Sequence, residues 1–370
     1  MICPTVSVVM SVFNGEAFLA QAIESILDQT FRGFEFIIID DGSTDKTSEI
    51  LANYASRDAR IRVVRHQNKG RAASLNIGIS LAKANYIARM DADDIARSHR
   101  FEQQIDFLER HPDVGLLGGA VELIDKSGQV IGAIQSALQD SEIKSIMLHG
   151  NPMWHPAVVM RKNVVLAVGG YRKPLLDADD YDLFLRMGER SQIANLGTIV
   201  LQYRIHPNQV SVKNMRHQAL CFVAARAAAS FRRSGKPDPL SDVEEVTPQL
   251  LWSFGVTPEE IQRKLLGFCN YWTHLLKKVD AESALRALDE VFQLSNSGVV
   301  ERSILCDAWL AAAGIHYRQG RPAKALVCAS RALLLRPIVA GRPVKRVFTR
   351  LATAIKVDRE SPSACEKLHS

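Results

Sequence analysis

Three carboxylates crowd together at Asp91, Asp93 and Asp94, directly after the apolar run Tyr86–Met90. Alternate residues of an extended segment face the same way, so Asp91 and Asp93 can aim at one point. Acids this close repel one another unless a cation or hydrogen-bond donors sit among them. Mn2+ or Mg2+ suits such oxygens, and such an ion in turn suits phosphate oxygens. A second acidic pair, Asp40 and Asp41, closes the apolar run at 34–39 and is followed by Gly42 and Ser43. A third group, Asp177, Asp179, Asp180 and Asp182, stands where a helix starts. Acids favour that end of a helix. A carboxyl among other carboxyls also gains proton affinity. The chemistry implied is an enzyme's handling of a nucleotide-activated molecule.

Those carboxylates need a scaffold that brings distant parts of the chain together. The first 110 residues alternate strand and helix signals: strands at Val6–Val12, 34–39, Ile61–Arg65 and Tyr86–Met90, with helical spacings at 16–28, 45–56 and 70–82. This order predicts a parallel sheet with right-handed crossovers, and such open sheets bind ligands at the carboxyl ends of their strands. Beyond it the pattern loosens. A helix is expected at 99–110, a strand at Val114–Ile124, a short helix at 142–148, an edge strand at 157–160 and a late strand pair at 193–204. From about residue 210 the strands stop. A helix at 216–233 leads to a linker at 234–239, and helices follow at about 258–278, 281–294, 301–318, 322–335 and 343–356. The expected organisation is a catalytic α/β domain over 1–210, a helical connector over 211–257, a helical-hairpin domain over 258–357 and a tail over 358–370.

Composition bounds the rest. The 370 residues, 47% hydrophobic and 23% charged, are ordinary for a folded protein of about two domains. No apolar run approaches the roughly 20 residues that span a bilayer, and the N-terminus lacks a basic region typical of a signal peptide. Cys3, Cys221, Cys269, Cys306, Cys328 and Cys365 are scattered without metal-site spacing, which predicts reduced, packed thiols in a cytosolic protein. The net charge of +6 is concentrated late: residues 321–360 carry ten Lys or Arg against Asp358 and Glu360. That stretch suits either anionic lipid headgroups, as a peripheral membrane contact, or a solvated helix face. Nothing points to nucleic acid.

Four segments taken in order resemble the family 2 glycosyltransferases of the GT-A fold: Ser7–Gly15 (SVVMSVFNG), then Ile39–Asp45 (IDDGSTD), Asn68-Lys69-Gly70 and Ala88–Asp94 (ARMDADD). The resemblance covers roughly residues 4–210. It implies a mostly parallel mixed sheet, a nucleotide-sugar donor and a divalent metal. It places Ser11 and Phe13 beside the nucleotide, with Asp41 accepting a hydrogen bond from the base ring and Asp40 positioning the loop. A turn followed by a helix cap would account for the same residues. Asp91, Ala92 and Asp93 resemble the family's D-x-D motif, with Asp93 the direct metal ligand, Asp91 on the sugar or ribose and Asp94 in reserve. Residues 176–183 (LDADDYDL) resemble its E-D-Y-D-L segment, with Asp179 where the family has Glu. That implies Asp180 as the general base, with Asp179 beside it. Tyr203-Arg204-Ile205-His206 resembles its Y-R-x-H, which offers Arg204 to the diphosphate or His206 as a third metal ligand. Trp154-His155-Pro156 resembles an acceptor-side segment. Lys69 and Arg71 flank Gly70 at a helix start that suits an anion. Trp309, Ala312, Ala313, Gly320, Ala325, Ala329, Ala332 and Pro337 sit at spacings resembling one tetratricopeptide unit.

The expectation from these residues is an inverting glycosyltransferase using a donor linked to UDP and a glycan or lipid-linked glycan acceptor. Nucleotidyl transfer on a related fold is the rival, but Phe13-Asn14-Gly15-Glu16 lacks the basic residues that chemistry wants. A scaffold recruiting partners through its helical C-terminus is a second rival, against which the retained acids argue.

Overall fold

The computed structural model describes residues 4–295 and 300–336. The helix expected at 343–356, the tail, Pro337, Cys3 and Cys365 lie outside the described residues. The chain forms two compact units, Met1–Pro258 and Glu259–Ser370.

The first unit is built on a nine-stranded mixed sheet. In chain order its strands are β1 (Val6–Val12), β2 (Phe34–Asp40), β3 (Ile61–Arg65), β4 (Tyr86–Met90), β5 (Ile95–Ala96), β6 (Val114–Ile124), β7 (Val130–Ile134), β8 (Val159–Arg161) and β9 (Gln192–Arg204). They lie in the order β3-β2-β1-β4-β8-β6-β9-β5, with β7 on the side of β6. β1 pairs in parallel with both β2 and β4, and β2 with β3. The helices before β9 are α1 (Leu19–Leu27), α2 (Thr47–Arg57), α3 (Arg71–Leu81), α4 (Arg100–Arg110), α5 (Asp140–Ile146), α6 (Lys162–Ala167) and α7 (Asp179–Gly188). After β9 come α8 (Val210–Lys213), α9 (Met215–Arg233) and α10 (Pro248–Ser253).

The mostly apolar runs of β1 and β2 are explained by burial on both faces, the usual condition of a parallel sheet. Ile37, Ile38 and Ile39 are completely buried, and each such side chain contributes about 1.5–3 kcal/mol. Because β1 has β2 on one side and β4 on the other, its end opens a crevice, the place where open α/β sheets take ligands. The loops carrying Asp41 and Asp91 flank that crevice.

Three expectations are corrected. The segment expected at 157–160 as an edge strand is the central β8, which runs antiparallel to both β4 and β6. The expected strand pair at 193–204 is the single strand β9, parallel to β6 and irregular in register around Gly119 and Ala120. A side chain at Gly119 would press on Val200 at 2.7 Å, so glycine there lets the two backbones meet. The stretch expected as a linker at 234–239 is tied down. Asp238 accepts bonds from Arg172 at 3.0 Å and Arg232 at 2.7 Å, and Leu240 is buried. The very short β5, β7, α6 and α10 carry no periodicity of their own and were not expected.

The second unit holds α11 (Pro258–Leu276), α12 (Ala281–Ser295), α13 (Arg302–Arg318) and α14 (Pro322–Leu335). α13 and α14 form a hairpin turned at Gly320, whose φ is +68°. Buried Ala312, Ala313, Ala325, Ala329 and Ala332 let the two helices approach, and the Cys306 thiol donates to the Ala332 carbonyl at 3.4 Å. Phe292 stacks on Trp309 with ring centroids 3.8 Å apart, joining α12 to α13. The four described cysteines, Cys221, Cys269, Cys306 and Cys328, are buried and form no disulfide. Among the described residues no helix is long and apolar enough to cross a membrane.

Candidate active site

The loops after β1 and β2 are stitched together. Asn14, at φ +52°, accepts the Thr44 amide through its side chain at 2.8 Å, and its own amide donates to Ser43 Oγ at 3.0 Å. The Gly15 amide donates to Thr47 Oγ1 at 2.9 Å. A side chain at Gly15 would strike Val12 at 2.6 Å and lie 3.7 Å from Ala92, so this loop also adjoins the loop after β4. Ser11 sits half-buried at the end of β1, opposite Ile39, and Phe13 is 51% exposed on the loop.

Asp40 and Asp41 divide their labour. Burial works against the charge on Asp40, yet bonds from Ser48 and Ser43 and the nearby Arg65 hold its carboxyl below the usual range. It thereby holds the loop closed, through Ser43 N at 2.9 Å and Ser48 Oγ at 2.6 Å. Asp41, also buried, accepts the backbone amides of Lys69 at 2.8 Å and Gly70 at 3.0 Å. The anion that suits this helix start is thus the protein's own Asp41.

Arg71, the first residue of α3, reaches across to α7. It donates to both oxygens of Asp179, at 2.6 and 3.2 Å, and to the Leu176 carbonyl at 2.6 Å. Although burial opposes its charge, Asp179, Asp91 and Asp180 keep the guanidinium more firmly protonated than usual. Asp179 is fully buried, and burial raises its proton affinity despite Arg71. Asp180 is half-buried; burial, and then the charge of Asp179, push its pKa up to about 6, with Arg71 opposing. Asn151 donates to Asp180 Oδ2 at 3.0 Å. Sequence reasoning missed Asn151, because an Asn before a Pro reads as a turn.

Behind this pair stands a brace. Asp182 is buried between Arg172 at 2.9 Å and Arg186 at 2.7 Å, the latter one turn along the same helix. Tyr181 stacks on Phe222 of α9 with centroids 3.8 Å apart and planes 7° from parallel. Asp177 is gripped by His217 of α9. α9 therefore fixes the start of α7, where Asp179 and Asp180 stand.

On the other side of the crevice, oxygens of Asp91, Asp93 and Asp94 lie within 4.8 Å of one another. Asp94 is 1% exposed; one oxygen accepts the Arg204 amide at 2.8 Å, and the other, Oδ2, is buried with no hydrogen-bond partner. Burial, then the charges of Asp93 and Asp91, lift its proton affinity well above the usual. An orphaned buried oxygen within a knot of carboxylates is a donor set for a hard cation, so these residues fit Mn2+ or Mg2+. His206 adjoins the knot through Asp93, with Nε2 2.9 Å from Oδ2; the converging oxygens are those of the three aspartates. Arg204 is buried and its guanidinium is taken up by the protein: Asp93 O at 2.7 Å, Gln21 at 2.7 Å and Asp125 O at 3.1 Å. It pins the acidic loop to the turn after β6. Buried Arg89 pairs with Asp91, so it does more than precede the acids.

His155 is buried against Tyr171, 2.7 Å from its hydroxyl, and burial, then Arg89 and Arg71, lowers its proton affinity. Trp154 packs on Tyr203 with centroids 4.8 Å apart.

The crevice at the sheet's switch point is thus flanked by an acidic loop on one side and by a helix-borne carboxylate with raised proton affinity on the other. Residues 7–165 match the family described as Glycosyl transferase family 2. The amylovoran biosynthesis glycosyltransferase AmsE of Erwinia amylovora is 33% identical over 209 residues, 55% of this chain and 78% of its own length. The O-antigen biosynthesis glycosyltransferase WbnJ of Escherichia coli is 31% identical over 205 residues, 54% of this chain and 80% of its own. The chain belongs to glycosyl transferase family 2. Two solved structures share the fold. S. aureus TarS 1-349 in complex with UDP-GlcNAc has a TM-score of 0.51 at 16% identity, covering 85% of this chain and 92% of its own. The mannosyltransferase PcManGT from Pyrobaculum calidifontis, in complex with GDP-Man and Mn2+, has a TM-score of 0.51 at 13% identity, covering 89% and 87%.

Proposed function

We propose that the protein is an inverting glycosyltransferase that moves a sugar from a UDP-linked donor to a hydroxyl of a glycan or lipid-linked glycan, in the making of a cell-surface polysaccharide or glycolipid. The observation that carries the reading is an unbroken chain of contacts across the crevice. Asp41 holds the Lys69 and Gly70 amides, the next residue, Arg71, holds Asp179, and Asp179 raises the proton affinity of Asp180. The donor side and the acceptor side are thereby set relative to one another.

In this reading Asp41, with Ser11 and Phe13 nearby, receives the nucleotide base. Asp91, Asp93 and Asp94 would hold a divalent ion, which would supply positive charge against the diphosphate. The acceptor oxygen attacks the anomeric carbon while the bond from that carbon to the diphosphate oxygen breaks, its electron pair leaving with the nucleoside diphosphate. Asp180 takes the hydroxyl proton. One displacement inverts the anomeric centre. Asn151 orients Asp180, and Arg71 holds Asp179 beside it, opposing the effect of burial on that carboxyl.

Support for polysaccharide synthesis comes from the relatives named for amylovoran and O-antigen. The fold carries UDP-GlcNAc in one solved structure and GDP-Man in another, so a donor screen decides the base. The test is donor turnover and transfer with Mn2+, in wild type, Asp93→Ala and Asp180→Asn. Asp93→Ala loses metal-dependent turnover. Asp180→Asn abolishes transfer yet keeps UDP affinity, since the residue acts only on the acceptor; a large loss of UDP binding in that variant would show the role misassigned.

A further inference from the structure

A cleft of about 880 Å3 opens at the far end of α7 from Asp180, and none of the carboxylates at 41, 91–94 or 179–180 lines it. Its walls bear Lys144 of α5, Glu189 and Arg190 after α7, Arg232 and Arg233 at the end of α9, and Lys236. Two of the five cations are already matched. Lys144 lies 3.0 Å from Asp140, and Arg232 holds Glu189 at 2.7 Å and Asp238 at 2.7 Å. Arg190, Arg233 and Lys236 are exposed and have no carboxylate partner among the described residues. The ordinary reason for cations here is that α7 and α9 both end nearby. Each helix end offers roughly half a negative charge, so together they offset about one of the three. A surplus of about two positive charges remains, and it surrounds a concavity of the size that holds small ligands.

The cleft is also tied to the acceptor side. Gly188, on its wall, is eight residues along α7 from Asp180, a span of about 12 Å in a helix. Ser145 and Leu148 line it too, and between them the Met147 carbonyl accepts the Tyr181 hydroxyl. Three residues beyond Leu148, Asn151 donates to Asp180. One continuous segment therefore runs from the cleft to the carboxylate.

We propose that this cleft is a subsite for a phosphate or diphosphate ester, placed so that an acceptor anchored there presents a hydroxyl to Asp180. This rests on Asp180 marking the acceptor side. The ester can arrive in a soluble molecule or as a headgroup in a bilayer, and the two sources are separable. The full chain is compared with Arg190→Gln/Arg233→Gln/Lys236→Gln and with the single variant Arg190→Gln. Inorganic pyrophosphate binding is measured by calorimetry in EDTA. Sedimentation is measured with phosphatidylcholine vesicles with and without phosphatidylglycerol. A cation beside an anionic surface changes binding about fivefold, so the triple variant loses about a hundredfold and the single variant about fivefold. Loss in the pyrophosphate arm assigns the site to a soluble ester, and loss confined to anionic vesicles assigns it to headgroups. Wild-type binding in neither arm, or equal binding by all three proteins, overturns the proposal. Mn2+-dependent donor turnover is followed in parallel and stays unchanged in the variants. Its absence from wild type would count against the reading of the acidic loop and leave the cleft to be judged by its own two arms.

Discussion

Asp180 gives the sharpest test of the site, because its environment dictates both a rate profile and a stability profile. Burial and the charge of Asp179 lift its pKa from the ordinary 3.8 to about 6. A base with that value is about one-tenth ionised at pH 5 and about nine-tenths ionised at pH 7. Transfer in Mn2+ is therefore expected to fall about tenfold from pH 7 to pH 5. Asn151→Ala removes a bond to the ionised form and moves that acid limb to higher pH. Stability follows the same ionisation with a definite sign. The folded-state value lies above the unfolded one, so the contribution of Asp180 is complete below about pH 4 and is lost as the pH rises through about 6. A shift of about two units corresponds to at most about 3 kcal/mol, and partial exposure cuts that to about 1–2 kcal/mol. Asp180→Asn cannot ionise. Its stability relative to wild type, measured by urea unfolding, should rise by about 1–2 kcal/mol between pH 4 and pH 7. A rate that is flat from pH 5 to pH 7, or a stability difference that shrinks over this window, would refute the assignment of Asp180 as the titrating base.

The other predictions concern the parts that hold this carboxylate and the acidic loop. Arg71→Gln leaves Asp179 buried without its cation and is expected to cost about 3–5 kcal/mol in urea unfolding. Asp41→Asn turns one acceptor of a backbone amide into a donor, so the melt should show a loss of about 1.5–3 kcal/mol and calorimetry a weaker affinity for UDP. Asp94→Asn relieves repulsion in the acidic loop; melting should be higher than wild type in EDTA and gain less from Mn2+. Phe222→Ala removes the ring under Tyr181 and should cost about 3–5 kcal/mol, with kcat falling more than donor KM rises.

What could be read in advance divides along physical lines. β1, β2 and β4 are buried along most of their length, so each reads as a mostly apolar run, broken by Ser7 and Ser11, Glu35 and Arg89, that needs little context to be recognised. β8 is three residues long, and nothing local distinguishes a short central strand from a short edge strand; only pairing with β4 and β6 makes it central. Similarly, the acids of the site were legible as types and spacings, while their partners were not. Arg71 was expected to meet an anion, but that the anion is Asp179, 108 positions away, follows from the tertiary path that brings the start of α7 within reach of the start of α3. Asn151 gave no signal. Arg204 was expected to face a diphosphate, and its burial among carbonyls reflects the path of the loops after β4 and β6, which periodicity does not report.

The deepest consequence of that packing is electrostatic. Arg89, Arg100 and Arg204 are the three largest fully buried side chains among the described residues, and all three lie against the acidic loop or its strand. Arg89 pairs with Asp91, Arg204 donates to the Asp93 carbonyl, and Arg100 donates to the Arg89 carbonyl at 2.8 Å. Burial lowers the Arg100 pKa to about 9, with Asp94 opposing and Arg89 assisting the shift, so at neutral pH it stays charged. Three buried cations thus stand against Asp91, Asp93 and Asp94. Without them, folding would force three carboxylates together at a cost that a proton on Asp94 or a bound ion would have to offset. With them, part of that negative charge is offset before any ion arrives. In the proposed reaction a divalent ion held by this loop would keep more of its charge for the diphosphate of the donor, where it would assist departure of the leaving group.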